Sequence, residues 1–393
     1  MKGVAIAVEQ EVSFIEALLR ARRRPGEIGR REILALLEGS GEPDRRDALF
    51  RAADEVRRRY VGDEVHLRGI IEFSNHCVRN CHYCGLRAGN RSLARYRMTP
   101  AEMVAIAERA AGLGLGTVVL QSGEDPYWDA QKLAAVIAEI KRRTGLAVTL
   151  SVGDRPREDY ARWREAGADR YLLKHETADA GLFRRLRPGT TLDGRLRCLR
   201  DLRELGYQVG SGNMVGLPGQ TLASLADDIV LLQELDVEMA GIGPFLPHPQ
   251  TPLWGAQPGS VDLTLRVLAV ARLALPWAHL PATTALGTAD PEGRQKALRC
   301  GANVIMPNVG PTEYRPLYQI YPGKICLTDR AESCLVCLHR MVRDLGRTVG
   351  RGPGHSPKPR FRSPEASAKG DATAMMPGNG SMSAPADTVA SAR

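Results

Sequence analysis

The chain has 393 residues, 43% hydrophobic and 25% charged, with a net charge of +9. This suffices for one barrel-sized domain or two ordinary ones, and no run approaches the roughly 20 apolar residues that span a bilayer, so no membrane span is expected. Much of the positive excess sits in RARRRPGEIGRRE and RRDALFRAADEVRRRY, which read as solvated helix faces with no aromatic residues interleaved to stack on bases, so no nucleic-acid partner is expected either.

In chain order, MKGVAIAVEQEVSF has a short apolar stretch without a small-residue cleavage site, which predicts an unprocessed, cytoplasmic protein. VSFIEALL, REILALLEG and PDRRDALFRAADEVRRRYVG carry helical periodicity and predict an N-terminal helical cap over 1–62. From residue 66 short apolar runs alternate with helical stretches. Strands are predicted at 66–73, 116–123, 146–153, 169–176, 207–214, 239–245, 280–286 and 303–308. The fold class is therefore α/β, a (β/α)8 TIM-type barrel over 63–312, whose chemistry would sit on the loops after the strand C-termini. Residues 313–350 are read as a C-terminal extension. Gly, Pro, Ser and Ala dominate 351–393, which predicts a disordered tail.

NHCVRNCHYCGLR places Cys77, Cys81 and Cys84 on the loop after the first strand. C-x3-C-x2-C is too many thiols for a redox pair and one short of a closed four-cysteine zinc site, and soft thiolate clusters favour zinc or iron–sulfur. In a four-iron cubane, three cysteines leave one iron open to substrate. The alternative is a structural zinc completed by His76 or His82, against which no second ligand pair lies nearby. A second triplet, Cys326, Cys334 and Cys337, follows the last strand, and a second iron–sulfur cluster, a zinc completed by His339 or three free thiols would each account for it. Cys198 and Cys300 lie on helical patterns and read as small buried hydrophobes.

Other strand ends are polar. VVLQSGEDPY brings Gln121, Ser122, Gly123 and Glu124 after strand two, either as a plain turn or as a carboxylate and backbone edge for an ammonium group. DRYLLKHET puts Lys174 and Glu176 after strand four, with alternation turning both to one side. GNMVGLPGQT follows strand five.

Cys77-x3-Cys81-x-Tyr83-Cys84 resembles the signature of the radical S-adenosylmethionine (SAM) superfamily. The resemblance implies a 4Fe–4S cluster on the three cysteines, SAM chelated at the open iron, Tyr83 against the adenine, and the Gln121–Glu124 loop around the ammonium group. It also implies Glu176 on the ribose and Arg195 on the methionine carboxylate. FSNHCVRNCHYCGLR, YRMTP, VLQSGEDPY, RPREDY, AGADRYLLKHETA, NMVGLPGQT, GIGPFLPHPQTPL, PATTALGT, RCGANVIMPN and LYQIYPGKIC together resemble the FeFe-hydrogenase maturase family HydE over roughly 45–350. That family implies reductive SAM cleavage and action on a cysteine-bound iron carbonyl cyanide precursor from HydG, for assembly on HydF, with a reductant protein supplying electrons. An accessory iron–sulfur cluster on Cys326, Cys334 and Cys337 is also implied. Donors for an anionic substrate would be Arg155, Lys174, Thr283, Thr284, Tyr318 and Tyr321. Biotin synthase differs in carrying cluster cysteines on barrel strands, where this chain has none. A mutase similar to methylornithine synthase, or a non-enzymatic iron–sulfur scaffold, are the competing readings.

Overall fold

Helices begin where side chains satisfy their first amides. In α1 (Phe14–Arg23) the Glu16 N–H donates to the Ser13 hydroxyl and the Ser13 N–H to the Glu16 carboxylate, which closes two orphan donors at once. α2 (Arg30–Gly39) and α3 (Pro43–Val61) complete the N-terminal helices. The computed structural model describes residues 12–361.

β1 (Glu64–Leu67) runs into β2 (Gly69–Ser74), and α4 (Pro100–Gly112) repeats the capping box with Thr99 and Glu102. The alternation continues through β3 (Thr117–Ser122), α5 (Ala130–Thr144), β4 (Ala147–Ser151), α6 (Arg157–Glu165), β5 (Arg170–Leu172), α7 (Ala180–Leu186), α8 (Leu192–Glu204) and β6 (Gln208–Ser211). After β7 (Met214–Val215) come α9 (Leu222–Glu234), β8 (Met239–Ala240), β9 (Gly243–Pro244) and α10 (Val261–Ala274). Each helix lays an apolar stripe on the sheet. α5 buries Leu133, Val136, Ile137 and Ile140, worth about 1.5–3 kcal/mol per side chain.

β2, β3, β4, β5, β6 and β8 form one parallel sheet in that order. Single parallel bridges then carry the ladder on, from Met239 to His279 and from Pro281 to Val304. β10 (Val304–Ile305) pairs with β1, and Asn308 bridges Ile70. The pairing thus returns to the first strand and closes the ring. The seventh and eighth strands are much shorter than the runs at 280–286 and 303–308 suggest. Pro281 and Pro307 cannot donate to a ladder, and Thr283 caps α11 (Thr284–Ala289), turning the chain into a helix.

The N-terminal helices pack on the outer ring, α3 against α10 and α2 against α9. α12 (Gly293–Arg299) precedes the extension, in which α13 (Ala331–Asp344) leads to β11 (Thr348–Val349), a strand added beside β1. A disordered tail from residue 351 is corrected over its first residues. Thr117 and Arg170 donate to the Pro353 carbonyl, Arg68 to Gly354, and the Ser356 N–H to Gln208. These bonds fix 351–356 across the N-terminal end of the barrel. The compact unit ends at Ser356; Pro357 opens a second one. Residues 1–11 of the predicted cap and 362–393 of the predicted tail lie outside the described residues. No helix among those described is long and apolar enough to cross a membrane.

Candidate active site

A cavity of about 380 Å³ runs through the barrel, lined near its mouth by Cys77, Cys81 and Cys84 and at depth by Arg68 and His279. The cysteines sit on the long loop between β2 and α4, as the spacing predicts. Strand two ends against this loop. A Cβ on Gly123 would run into the His76 carbonyl and the Cys77 side chain, so only glycine lets the two loops touch. Burial pushes all three thiols up from their ordinary values. Their thiolates therefore need a positive centre among them, which a cationic iron cluster provides. The Cys77 sulfur also accepts the Arg79 N–H at 3.4 Å, a contact of the kind that tunes cluster potentials.

Around the cysteines lies a chain of buried charges. Glu124 pairs with Arg79 and, at 3.4 Å, with Arg187. Arg187 donates to the Tyr83 hydroxyl at 3.1 Å and stands 3.7 Å from Asp154. Arg195 pairs with Asp154 at 3.0 Å and donates to the Lys174 carbonyl, while Lys174 pairs with Glu176 at 3.3 Å. Burial opposes the charge of Glu176, but Lys174, Arg187 and Arg195 outweigh it and hold the carboxyl below its usual range. Glu176 keeps a left-handed backbone, φ 67°, a conformation that costs a non-glycine residue energy and gathers at functional positions. The Nε of Arg187 is buried without a hydrogen-bond partner, so this wall still has a donor to offer. Charged donors and acceptors beside three thiols fit the amino, carboxylate and ribose groups of SAM and an iron cluster at the mouth.

The residues singled out in the sequence divide clearly. Tyr83, Gln121, Ser122, Gly123, Glu124, Lys174, Glu176, Arg195, Thr283, Thr284, Tyr318 and Tyr321 all line the cavity. Arg155 does not. Its guanidinium donates to the Asp125 and Trp128 carbonyls and lies over the Trp163 ring, which corrects its reading as a substrate donor. Asp154, its neighbour, instead pairs with Arg195 and stands beside Arg187, two residues of the cavity wall. Thr283 and Thr284 line the wall from a helix start and not, as expected, from a strand. Cys326 and Cys334 also line the cavity, whereas Cys337 is exposed. The Cys334 thiol hydrogen-bonds Cys326 and holds the Cys326 thiol below its ordinary value.

Sequence reasoning missed Arg187, Asp154, Arg79 and a second polar cluster on the opposite wall. There Glu72 accepts from Lys324 and, at 2.6 Å, from Asn308, with the Lys324 ammonium 5.4 Å from the Tyr318 ring centroid. Arg187 ends α7 immediately before Pro188-Gly189, a helix stop after a basic run. That is the only signal it offered.

Residues 71–232 match the model of the Radical SAM superfamily. The chain is 56% identical to the FeFe-hydrogenase maturase subunit HydE of Thermotoga maritima over 308 residues, 78% of this chain and 88% of that one. It is 32% identical to the 3-methylornithine synthase of Methanosarcina barkeri over 66% of this chain and 73% of that one. Among solved structures, methylornithine synthase (PylB) superposes with a TM-score of 0.75 at 27% identity, covering 85% of this chain and 97% of that chain. The maturase HydG gives 0.73 at 20% identity, covering 86% and 76%, a likeness of fold. With the cysteine loop, the barrel and this identity in hand, the chain belongs to the radical SAM superfamily and, within it, to the HydE maturase family.

Proposed function

We propose that the protein is the HydE-type enzyme of FeFe-hydrogenase maturation and acts on a cysteine-bound iron carbonyl cyanide precursor. The 56% identity to a HydE maturase carries this reading. Cys77, Cys81 and Cys84 would hold a 4Fe–4S cluster, which supplies the electron for SAM cleavage. Tyr83, Arg187 and the Gln121–Glu124 loop would seat SAM beside it, with Glu176 and Arg195 on the ribose and carboxylate ends. Lys174, Thr283, Thr284, Tyr318 and Tyr321 would receive the anionic substrate deeper in the barrel. A buried cavity suits reactive species, because its walls exclude water. Cys326, Cys334 and Cys337 would carry an accessory iron–sulfur cluster that SAM cleavage does not require. HydG would supply the precursor, HydF receive the product, and the cytoplasm house the reaction.

The test is anaerobic reconstitution followed by reduction. 5′-Deoxyadenosine and methionine form in the wild type and not in Cys81→Ala, and addition of a HydG reaction mixture accelerates turnover. Conversion of lysine to methylornithine without acceleration by HydG products would instead support a mutase, the reading favoured by the superposition on methylornithine synthase.

A further inference from the structure

Glu176 sits in a left-handed turn, φ 67°, so its neighbours must hold a conformation that a side-chain-bearing residue adopts at a cost. Its own peptide groups are tied to the end of β6 and the start of β7. The Glu176 N–H donates to the Gly212 carbonyl at 2.9 Å, and the Met214 N–H donates to the Glu176 carbonyl at 3.0 Å. The residues on either side of it meet one carboxylate, that of Asp228 in the middle of α9. The Ala178 N–H donates to Oδ1 at 2.5 Å, and Nε2 of His175 stands 3.5 Å from the same oxygen. The side-chain amides of Asn213 and Gln220 donate to Oδ2 at 3.1 and 3.3 Å. The other ring nitrogen of His175 lies 3.0 Å from the Ser211 hydroxyl, which also accepts the His175 N–H. Asp228, His175, Ser211 and Asn213 are completely buried.

An acid is costly there. Leu225, Ala226, Ile229 and Leu232 of α9 are buried alongside it, and another apolar side chain would pack in that stripe without desolvating a carboxylate. Burial raises the Asp228 carboxyl above its ordinary value in spite of its donors. Three of its four partners belong to the turn around Glu176: His175 precedes it, Ala178 follows by two residues, and Asn213 is its bridge partner. The same turn starts α7, where Asp179 accepts the Leu182 N–H at 2.8 Å. That helix ends on Arg187, which touches Tyr83 and Glu124.

We infer that Asp228, with His175, is a positioning residue of the SAM site: it lies behind the cavity wall and fixes the turn that aims Glu176 and starts the helix leading to Arg187. The inference rests on the proposed seat of SAM against Glu176 and Arg187. Without the carboxylate the turn relaxes and the Glu176 side chain swings. Binding then weakens equally in the ground and transition states, which raises KM and spares kcat.

The experiment compares full-length, cluster-reconstituted wild type with Asp228→Ala, Asp228→Asn, His175→Gln and Glu238→Ala. Glu238 is the control: it too is completely buried, and its carboxylate accepts the Val209 N–H at 2.6 Å and pairs with Arg203, neither of which lines the cavity. The readouts are the Kd for SAM from the cluster spectrum, KM and kcat for 5′-deoxyadenosine formation, and the thermal midpoint. Asp228→Ala should raise Kd and KM about tenfold to a hundredfold while kcat stays within about twofold. Asp228→Asn should stay within about threefold of wild type, because its amide oxygen still accepts the Ala178 N–H. His175→Gln should fall between the two, and it decides the question if Asp228→Ala does not fold. Glu238→Ala should lower the thermal midpoint and leave Kd and KM unchanged. Unaltered Kd and KM in the Asp228 and His175 variants would overturn the inference, as would an equal rise in Glu238→Ala. Wild type that carries its cluster and binds no SAM removes the site reading and the inference together, whereas wild type that binds SAM no better than Asp228→Ala removes the inference alone.

Discussion

Replacing Lys324 by Met removes an ammonium from one of the most enclosed ion pairs in the barrel while keeping most of the side-chain volume. The Lys324 and Glu72 side chains are 9% and 6% exposed, so water screens little of their interaction. Breaking one partner of a buried pair typically costs about 3–5 kcal/mol, because the remaining charge stays desolvated. Asn308 still donates to Glu72 at 2.6 Å, which places the expected loss near the lower edge, about 3 kcal/mol. With roughly 2.1 cal/mol/K of unfolding entropy per residue over a body of about 350 residues, that corresponds to a drop of about 4 °C in the thermal midpoint. The assay is anaerobic calorimetry on reconstituted protein, with Glu72→Gln/Lys324→Met as the companion. The double variant should recover most of the loss, since neither charge is then left alone. A single variant within about 1 °C of wild type would refute the reasoning that this buried pair ties the extension to β2.

Arg187→Gln removes contacts to Tyr83 and Glu124 and should weaken SAM binding about tenfold, the equivalent of one charge-assisted hydrogen bond, as read by equilibrium titration of the cluster spectrum. Arg155→Ala should lower stability by about 2 kcal/mol through its lost carbonyl contacts, yet leave the KM for SAM unchanged in a cleavage assay. Cys334→Ala should reduce the iron content while 5′-deoxyadenosine formation continues near the wild-type rate. Burial, with Arg68, Arg170 and Arg347 nearby, lowers His66 from 6.5 to about 4. Its folded pKa lies below its unfolded one, so its neutral form is fully favoured above pH 6.5 and stability falls as pH drops from about 6.5 toward 4. A denaturation series across that window should show a slope that His66→Gln flattens.

Much of this was legible in the sequence because the governing signals are local. The cysteine spacing fixes a loop, and strand–helix alternation fixes the sheet order. What stayed hidden depends on direction in space. GDRP after strand three offers Asp154 and Arg155 side by side, and only the turn geometry decides that the acid meets Arg187 and Arg195 while the base lies over Trp163. A Cβ on Gly153, φ 81°, would collide with the Glu124 side chain, so even that turn is set by a neighbour from the preceding strand's loop. Lys324 and Glu72 lie 252 residues apart, beyond any periodicity. The short seventh and eighth strands show proline and a capping threonine overriding an apolar pattern.

β1, which runs into the first strand of the six-stranded sheet, is flanked by β10 and β11, and the floor beneath the barrel is formed by Pro353, Gly354 and His355. During synthesis, then, the amino-terminal portion must wait with one edge unpaired until nearly the whole chain has left the ribosome. Such distant pairings make for slow, aggregation-exposed maturation. A cut just after residue 350 would leave every cysteine in place and still deprive the newborn barrel of its last closure.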